Sequence, residues 1–215
     1  MILILDYGSQ YTELIARRIR ELNVFSEVVP HTTLANNINK KVNGIILSGG
    51  PSSVSDKNAP TIDDNIFSLG IPILGICYGM QLIAHEMNGK IENSTIREYG
   101  ASNLEIIESS DLFNDVPKNI NIWMSHSDSV VTVPETFETI ATTTTCNVAS
   151  FQNKEKKIFG IQFHPEVSHT DYGKQIIENF VINICNVQQS WTTKTFIEQS
   201  IESINDQVKD DSVLC

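Results

Sequence analysis

Cys77 occupies a position at which a chain commonly places a reactive side chain. It stands in the segment Gly75-Ile-Cys-Tyr-Gly79, directly after the apolar residues 71–76, and a helix-like pattern follows without a linker. A Gly-x-nucleophile-x-Gly segment between a strand and a helix is typical of a nucleophile elbow. Glycines on both sides remove Cβ atoms that would collide at so sharp a turn, and the helix N-terminus favours a thiolate. The pattern therefore predicts Cys77 as a nucleophile, although a small buried cysteine is the alternative.

A candidate base follows much later in the chain, in the segment "IFGIQFHPEVSH". His164 follows a predicted strand directly, and Glu166 lies two residues further on, so the two side chains share a face of the extended chain. A carboxylate in that place fixes the imidazole tautomer and stabilises the imidazolium. Two alternatives stay open: a metal site formed by His164, Glu166 and His169, for which no fourth ligand is evident nearby, and a purely structural histidine.

The third candidate feature is the turn "LSGGPSSV", at residues 47–54. Glycines at the end of an apolar strand can direct backbone N–H groups into a cleft, as an oxyanion hole requires. The turn is not a phosphate-binding loop, because no Gly-Lys-Ser/Thr follows it.

Alternating strands and helices must position these residues. Short apolar segments predict strands, and apolar residues at helical spacing predict helices. The predicted strands are residues 2–5, 26–31, 44–50 and 71–76, and the predicted helices are residues 11–22, 33–41 and 176–184. Residues 97–163 instead show shorter strands, including the threonines 142–145. We therefore expect an α/β fold with a mostly parallel central sheet, helices on both faces and a small antiparallel addition.

Composition excludes several classes of protein. The net charge of −11 over 215 residues argues against a nucleic-acid partner. No apolar run approaches the roughly 20 residues that span a bilayer, and the first residues do not resemble a signal peptide. Four irregularly spaced cysteines predict neither a disulfide framework nor a zinc site, which favours a reducing, cytoplasmic setting.

The motifs Gly-Ile-Cys-Tyr-Gly-Met-Gln and His-Pro-Glu resemble those of class I, triad-type glutamine amidotransferases, whose fold is flavodoxin-like. The segments "LSGGPSSV", "REYG" and "WMSHSD" are similar, more narrowly, to the GMP synthetase branch of that family. The resemblance implies a cysteine that attacks the side-chain amide of L-glutamine, without a metal or cofactor in this domain. Related hydrolases acting on γ-glutamyl groups, other amidotransferase subunits and a flavodoxin-like redox module remain alternatives.

The resemblance also implies a role for each residue of the predicted site. The catalytic residues would be Cys77, His164 and Glu166; the oxyanion hole would be formed by Gly50 and Tyr78; glutamine would be held by Gln81, Ser125, Ser127 and Asp128. The family commonly has Gly or Asn where Ser127 stands. Neither Arg97 nor Glu98 of the "REYG" segment receives a role from the sequence.

The last part of the chain is expected to begin a second domain. Residues 1–187 would form the amidotransferase domain. Residues 188–215 would carry a linker, a helix and then the strand "DDSVLC". The helix is predicted from a capping box at Thr195–Glu198 and from apolar residues at helical spacing, namely Ile197, Ile201, Ile204 and Val208. In the GMP synthetase branch an ATP-pyrophosphatase domain begins at this point, which implies ATP and Mg²⁺ for that domain and not for this one.

Overall fold

The computed structural model describes residues 1–192, except the side chains of 94–97, and beyond them residues 194, 197, 201, 204, 205 and 208. Its strands are β1 (Ile2–Asp6), β2 (Ser26–Pro30), β3 (Gly44–Leu47), β4 (Ile73–Ile76), β5 (Lys90–Ile106), β6 (Asn119–Thr132), β7 (Glu138–Thr142), β8 (Ser150–Asn153) and β9 (Ile158–Ile161). Its helices are α1 (Thr12–Arg20), α2 (Tyr78–Glu86) and α3 (Gly173–Glu178), and α3 continues as a π-helix over Asn179–Ile184. Short 3₁₀ turns lie at Ala35–Asn37, Asp64–Ser68 and Asp111–Phe113.

All nine strands belong to one sheet, in the order β2-β1-β3-β4-β9-β8-β7-β5-β6. The pairs from β2 to β9 are parallel, and the pairs from β9 to β6 are antiparallel. The expected α/β class is confirmed. The antiparallel part, however, is as extensive as the parallel part and continues the same sheet, so it is not a small addition.

Helices cover both faces of the parallel half, and β1 shows how the sequence dictates this. Ile2 and Ile4 point into the core that contains α1 and α3, whereas Leu3 and Leu5 point into the core that contains α2. Every apolar side chain of β1 is therefore buried, which explains why the strand reads as a continuous apolar run and not as an alternating one.

Two predictions about individual elements were wrong. The helix expected at residues 33–41 is limited to the 3₁₀ turn Ala35–Asn37, and Asn39 accepts a hydrogen bond from the Lys41 N–H in a local turn. Strand β7 ends at Thr142, because the Thr143 hydroxyl oxygen accepts hydrogen bonds from the N–H groups of Thr145 and Cys146. In both places a short polar side chain bonds to the nearby backbone in competition with regular structure.

The described residues beyond 192 are helical where the structure assigns them, and the side chains of Ile197, Ile201 and Ile204 are exposed. The capping box at Thr195–Glu198 and the strand "DDSVLC" lie outside the described residues, and the boundary at residue 187 stays a prediction. Within the described part of the chain, no helix has the length and apolar character needed to cross a membrane.

Candidate active site

Cys77 lies at the junction of β4 and α2 in the strained conformation that the elbow requires. Its φ of 52° and ψ of −105° are unusual for a residue with a side chain. A Cβ atom on Gly75 would lie 2.5 Å from the backbone of Gly79, and one on Gly79 would lie 2.3 Å from the carbonyl oxygen of Leu47. Both glycines are therefore needed for close approach of the backbone, which confirms the reason for the Gly-x-Cys-x-Gly pattern.

His164 and Glu166 form the expected pair, three and five residues beyond the end of β9 at Ile161. The Nδ1 atom of His164 lies 2.7 Å from Oε1 of Glu166, and both side chains are buried. Because β4 and β9 are parallel neighbours, the residues that follow each strand, Cys77 and His164, meet at the same edge of the sheet. Burial by itself would lower the pKa of His164, but its interactions with Cys77 and Glu166 outweigh burial and raise that pKa to about 10. The imidazole is therefore protonated at neutral pH.

Several backbone contacts fix the base in place. The His164 N–H donates to the Trp123 carbonyl at 3.1 Å, and the Thr170 hydroxyl donates to the His164 carbonyl at 2.6 Å. Arg18 of α1 donates to the carbonyl oxygen of Glu166 at 3.0 Å. Strand β6 and helix α1 thus hold the segment that carries the triad's second half.

The metal-site alternative does not fit this arrangement. His164 and Glu166 bond to each other, while the ring of His169 packs on Trp123 with centroids 4.7 Å apart. Over the residues whose side chains are described, these three do not form a group that could hold an ion; the group that does come together is Glu98, His126 and Cys146.

Gly50 and Tyr78 are placed where an oxyanion hole could form. Tyr78 is the first residue of α2, so its N–H has no acceptor within the helix. Gly50 borders the two cavities that meet at Cys77, and a Cβ atom there would lie 2.6 Å from the carbonyl oxygen of Tyr7. The backbone of Gly50 can come this close only because the residue has no side chain.

One of these cavities contains the residues predicted to hold glutamine. Its lining includes Cys77, Gln81, Ser125, Ser127 and Asp128. Its volume of about 270 Å³ is near the lower end of the roughly 300–1,000 Å³ typical of small-molecule sites, which suits a single amino acid.

The hydrogen bonds of Gln81 and Asp128 define what each can offer a ligand. The Gln81 amide donates to the Asp128 carbonyl oxygen at 2.7 Å and to Oε1 of Gln162 at 3.2 Å. Only the Gln81 amide oxygen is then left for a ligand. The Asp128 carboxylate, on a residue that is 4% exposed, accepts from the Asn93 amide at 2.9 Å and can still accept from an ammonium group.

The structure also brings in residues that sequence reasoning missed. The second cavity at Cys77 is bordered by residues 8–11, which follow β1. The ring of Tyr11 meets His164 edge-on, with ring centroids 5.3 Å apart. The available signal was the position of "DYGS" after a buried strand, since loops at the carboxyl ends of parallel strands face the ligand site.

A cysteine elbow beside a buried His–Glu pair on an α/β sheet is an arrangement suited to thiol-dependent chemistry of the amidotransferase type. Residues 3–184 match the family model for glutamine amidotransferase class-I, and the chain belongs to that family. Over the whole chain it is 50% identical to a GMP synthase [glutamine-hydrolyzing] from Bacillus subtilis and 46% identical to one from Clostridium botulinum. The chain spans 42% of the length of each of these relatives.

Solved structures give the same result. A protein from Thermoplasma acidophilum, provisionally named as one subunit of a GMP synthase, is 34% identical, with a TM-score of 0.73 over 86% of this chain and 93% of its own. A glutamine amidotransferase from Thermotoga maritima shares the fold at 17% identity, with a TM-score of 0.61 over 87% of this chain and 86% of its own. The predicted family and flavodoxin-like fold are thereby confirmed.

Proposed function

We propose that this chain hydrolyses L-glutamine to glutamate and ammonia, as the glutaminase part of a GMP synthase. The observation that carries the proposal is the meeting of the strained Cys77 with the buried His164–Glu166 pair, beside a cavity lined by Asp128. The branch of the family is inferred from the GMP synthase relatives, which cover the whole chain.

The first half of the reaction forms a thioester. With the thiol proton on His164, the sulfur of Cys77 attacks the side-chain carbonyl carbon of glutamine. The N–H groups of Gly50 and Tyr78 stabilise the oxyanion that develops. When the tetrahedral intermediate collapses, the carbon–nitrogen bond breaks and the imidazolium gives its proton to the departing ammonia.

The second half releases glutamate. His164, now neutral, takes a proton from a water molecule that attacks the thioester carbon, and the bond to sulfur breaks. The sulfur leaves as a thiolate and the imidazole is again protonated, so the resting pair is restored. Glu166 remains ionised throughout and stabilises the imidazolium. Every step uses groups of this chain, so the mechanism requires neither a metal nor a cofactor.

The ammonia would be consumed by an ATP-pyrophosphatase domain that uses ATP and Mg²⁺ to convert XMP to GMP, in the cytoplasm. This part of the proposal rests on the resemblance of the sequence motifs and on the relatives' greater length. The cavity at Cys77 is of amino-acid size, and its lining includes no Lys or Arg that could pair with the phosphates of a nucleotide.

A labelling experiment tests the glutaminase proposal. A glutamine analogue carrying an electrophilic ketone should modify Cys77 with a stoichiometry of one molecule per chain, and excess L-glutamine should prevent the modification. Cys77→Ala should keep the fold and release no ammonia from glutamine, whereas Cys146→Ala serves as a matched control for a buried thiol outside the cleft. Ammonia release by Cys77→Ala at the wild-type rate would contradict the mechanism.

The choice of substrate distinguishes the γ-glutamyl hydrolase alternative. A hydrolase of γ-glutamyl peptides would use the same triad, but it would prefer a peptide bond to a primary amide. Comparison of kcat/KM for glutamine and for a γ-glutamyl dipeptide separates the two reactions, and we expect glutamine to be the better substrate.

A further inference from the structure

At the wall of the proposed glutamine cavity, which His126 helps to line, Glu98 and His126 form a buried pair that the triad mechanism does not use. They are cross-strand neighbours in the antiparallel pair β5–β6. Nε2 of His126 lies 2.9 Å from Oε2 of Glu98, and the side chains are 2% and 10% exposed respectively. The Thr145 hydroxyl donates to the other oxygen of Glu98.

The hydrogen bonds determine where protons must lie. Nδ1 of His126 is 3.0 Å from the carbonyl oxygen of Asp128, and a carbonyl can only accept, so Nδ1 carries a proton. Nε2 of His126 and Oε2 of Glu98 lie 2.9 Å apart without the geometry of a hydrogen bond, and neither atom has another hydrogen-bond partner among the described residues. Removal of the Glu98 side chain would take away this contact and leave Nε2 buried without a polar neighbour.

His126 stands in the middle of the segment that lines the cavity. The carbonyl oxygen of Asp128 accepts a hydrogen bond from Nδ1 of His126 and another from the side-chain amide of Gln81. On the other side, the Ser125 carbonyl oxygen lies 3.5 Å from the sulfur of Cys77. The orientation of His126 therefore fixes residues 125–128, which border both the reacting sulfur and the expected position of the glutamine ammonium group.

We propose that Glu98 is a positioning residue for substrate binding: it holds His126 and, through it, the glutamine-binding segment 125–128. The inference rests on the proposed glutaminase function. It also assigns a role to the "REYG" segment, of which Glu98 is the second residue. Glu98 is not among the residues that line the two cavities at Cys77, so we expect its effect to be on glutamine affinity and not on the reactivity of Cys77.

A metal ion is the competing occupant of this cluster, because the ligand atoms of Glu98, His126 and Cys146 lie within 4.8 Å of one another. Burial, with the adjacent charge of Glu98, raises the pKa of Cys146 to about 12, so in the absence of an ion the group is a thiol. At 2.9 Å, Nε2 of His126 and Oε2 of Glu98 are in direct contact, which leaves no room for an ion between them. We therefore favour the direct Glu98–His126 contact.

The test compares two substitutions of Glu98 with a control on the same strand. Glu98→Ala should raise KM for glutamine roughly ten-fold or more, with kcat changed much less, because a buried polar contact to the segment is lost. Glu98→Gln can donate to Nε2 of His126 and should restore most of the affinity. The control Glu105→Ala removes an exposed carboxylate of β5 that pairs with Lys118, and it should leave KM unchanged.

Alkylation of Cys77 by iodoacetamide provides the second readout. The alkylation rate should be the same in wild type and Glu98→Ala, but protection by glutamine should need a correspondingly higher concentration in the variant. If Glu98→Ala is insoluble, Glu98→Leu fills similar space without a hydrogen-bonding group and gives the same measurement.

Four results would overturn the inference. They are a wild-type KM in Glu98→Ala or Glu98→Leu, an equal rise of KM in Glu98→Gln, slower alkylation of Cys77 in these variants, and one equivalent of zinc in the purified wild-type protein. A failure of the glutaminase proposal itself looks different, because glutamine would then fail to protect Cys77 in the wild-type protein.

Discussion

At the scale of single residues, the proposed reaction depends on the location of one proton. His164 is held between the sulfur of Cys77 and the carboxylate of Glu166, and these two neighbours raise the pKa of His164 to about 10 in spite of burial. A protonated imidazole has two uses: it stabilises a thiolate before attack, and it is the acid that departing ammonia requires. The ordinary histidine pKa of about 6.5 would leave it mostly neutral at pH 7.5.

Glu166→Gln should move the alkaline limb of the pH–activity profile to lower pH. In the wild type, kcat/KM for glutamine should fall only as the pH approaches about 10, where His164 loses its proton. The amide keeps the shape of the carboxylate but removes its charge, so the imidazolium becomes a stronger acid. Initial rates of glutamate formation between pH 6 and 10.5 locate the alkaline limb of the profile in the wild type and in the variant. An identical alkaline limb in the variant would contradict the role given to Glu166.

The raised pKa of His164 also predicts how the stability of the fold depends on pH. The folded pKa of His164 lies above its unfolded value of about 6.5, so proton binding favours the folded state. This contribution is fully present below pH 6.5 and is lost as the pH rises through about 10. Urea denaturation of the wild type should show falling stability over this range, and His164→Gln should show a smaller fall. Equal pH dependence in the two proteins would exclude this linkage.

At the scale of elements, the site depends on how closely β4, β3 and α2 approach. Gly79 in the first turn of α2 lies against Leu47 of β3, and this contact sets the angle at which α2 leaves the elbow. A side chain on Gly79 would press the helix away from the sheet. The strained backbone of Cys77 persists because these neighbours leave it no alternative.

Gly79→Ala should therefore destabilise the protein by about 3 kcal/mol or more, because its Cβ would meet backbone atoms that cannot move aside. The control is Gly70→Ala: Gly70 has a φ of 69° but no atom within 4 Å of the added Cβ. That substitution should cost only the left-handed strain of about 1–2 kcal/mol. Urea denaturation of both variants gives the comparison, and equal losses would show that contact with Leu47 is unimportant.

Local patterns and long-range pairing differ in what the sequence could predict. The elbow and the His-x-Glu pair each lie within five residues, so type and spacing were sufficient to select Cys77, His164 and Glu166 as candidates, whose catalytic roles stay a prediction. The pair Glu98–His126 depends on the register between β5 and β6, which shifts between Asn93 and Glu98. No local pattern contains that register. For the same reason the sequence did not predict that β6 runs unbroken through residues 119–132.

At the scale of the whole molecule, the sheet has two halves with different tasks. The parallel half provides Cys77 and His164 at the ends of adjacent strands, and the antiparallel half provides residues 125–128 from β6. The chain matches less than half the length of its curated GMP synthase relatives. A division of labour is expected in which these residues release ammonia and the remaining length of such proteins uses it.

The 215 residues alone should hydrolyse glutamine slowly and make no GMP. The turn at Ser48–Pro51 is assigned to the proposed oxyanion hole, and no Gly-Lys-Ser/Thr of a phosphate-binding loop follows it. Titration calorimetry with ATP and Mg²⁺ should show no binding, whereas the glutamine analogue should still react with Cys77. Tight ATP binding by this chain would contradict the assignment of ATP to another domain.

The position of β9 beside β4 determines when the proposed site can form during synthesis and folding of the chain. The segment that forms the elbow, residues 73–86, is synthesised early. The proposed base, His164, comes 87 residues after Cys77 in the chain. His164 also follows β9, a strand that can pair with β4 only after the antiparallel half has been synthesised. A ribosome-bound chain that ends before residue 164 therefore carries an inert cysteine. During refolding, reactivity of Cys77 toward the glutamine analogue should return with the final cooperative phase and not with early helix formation. We therefore expect Cys77 to gain its catalytic reactivity only after β9 has paired with β4.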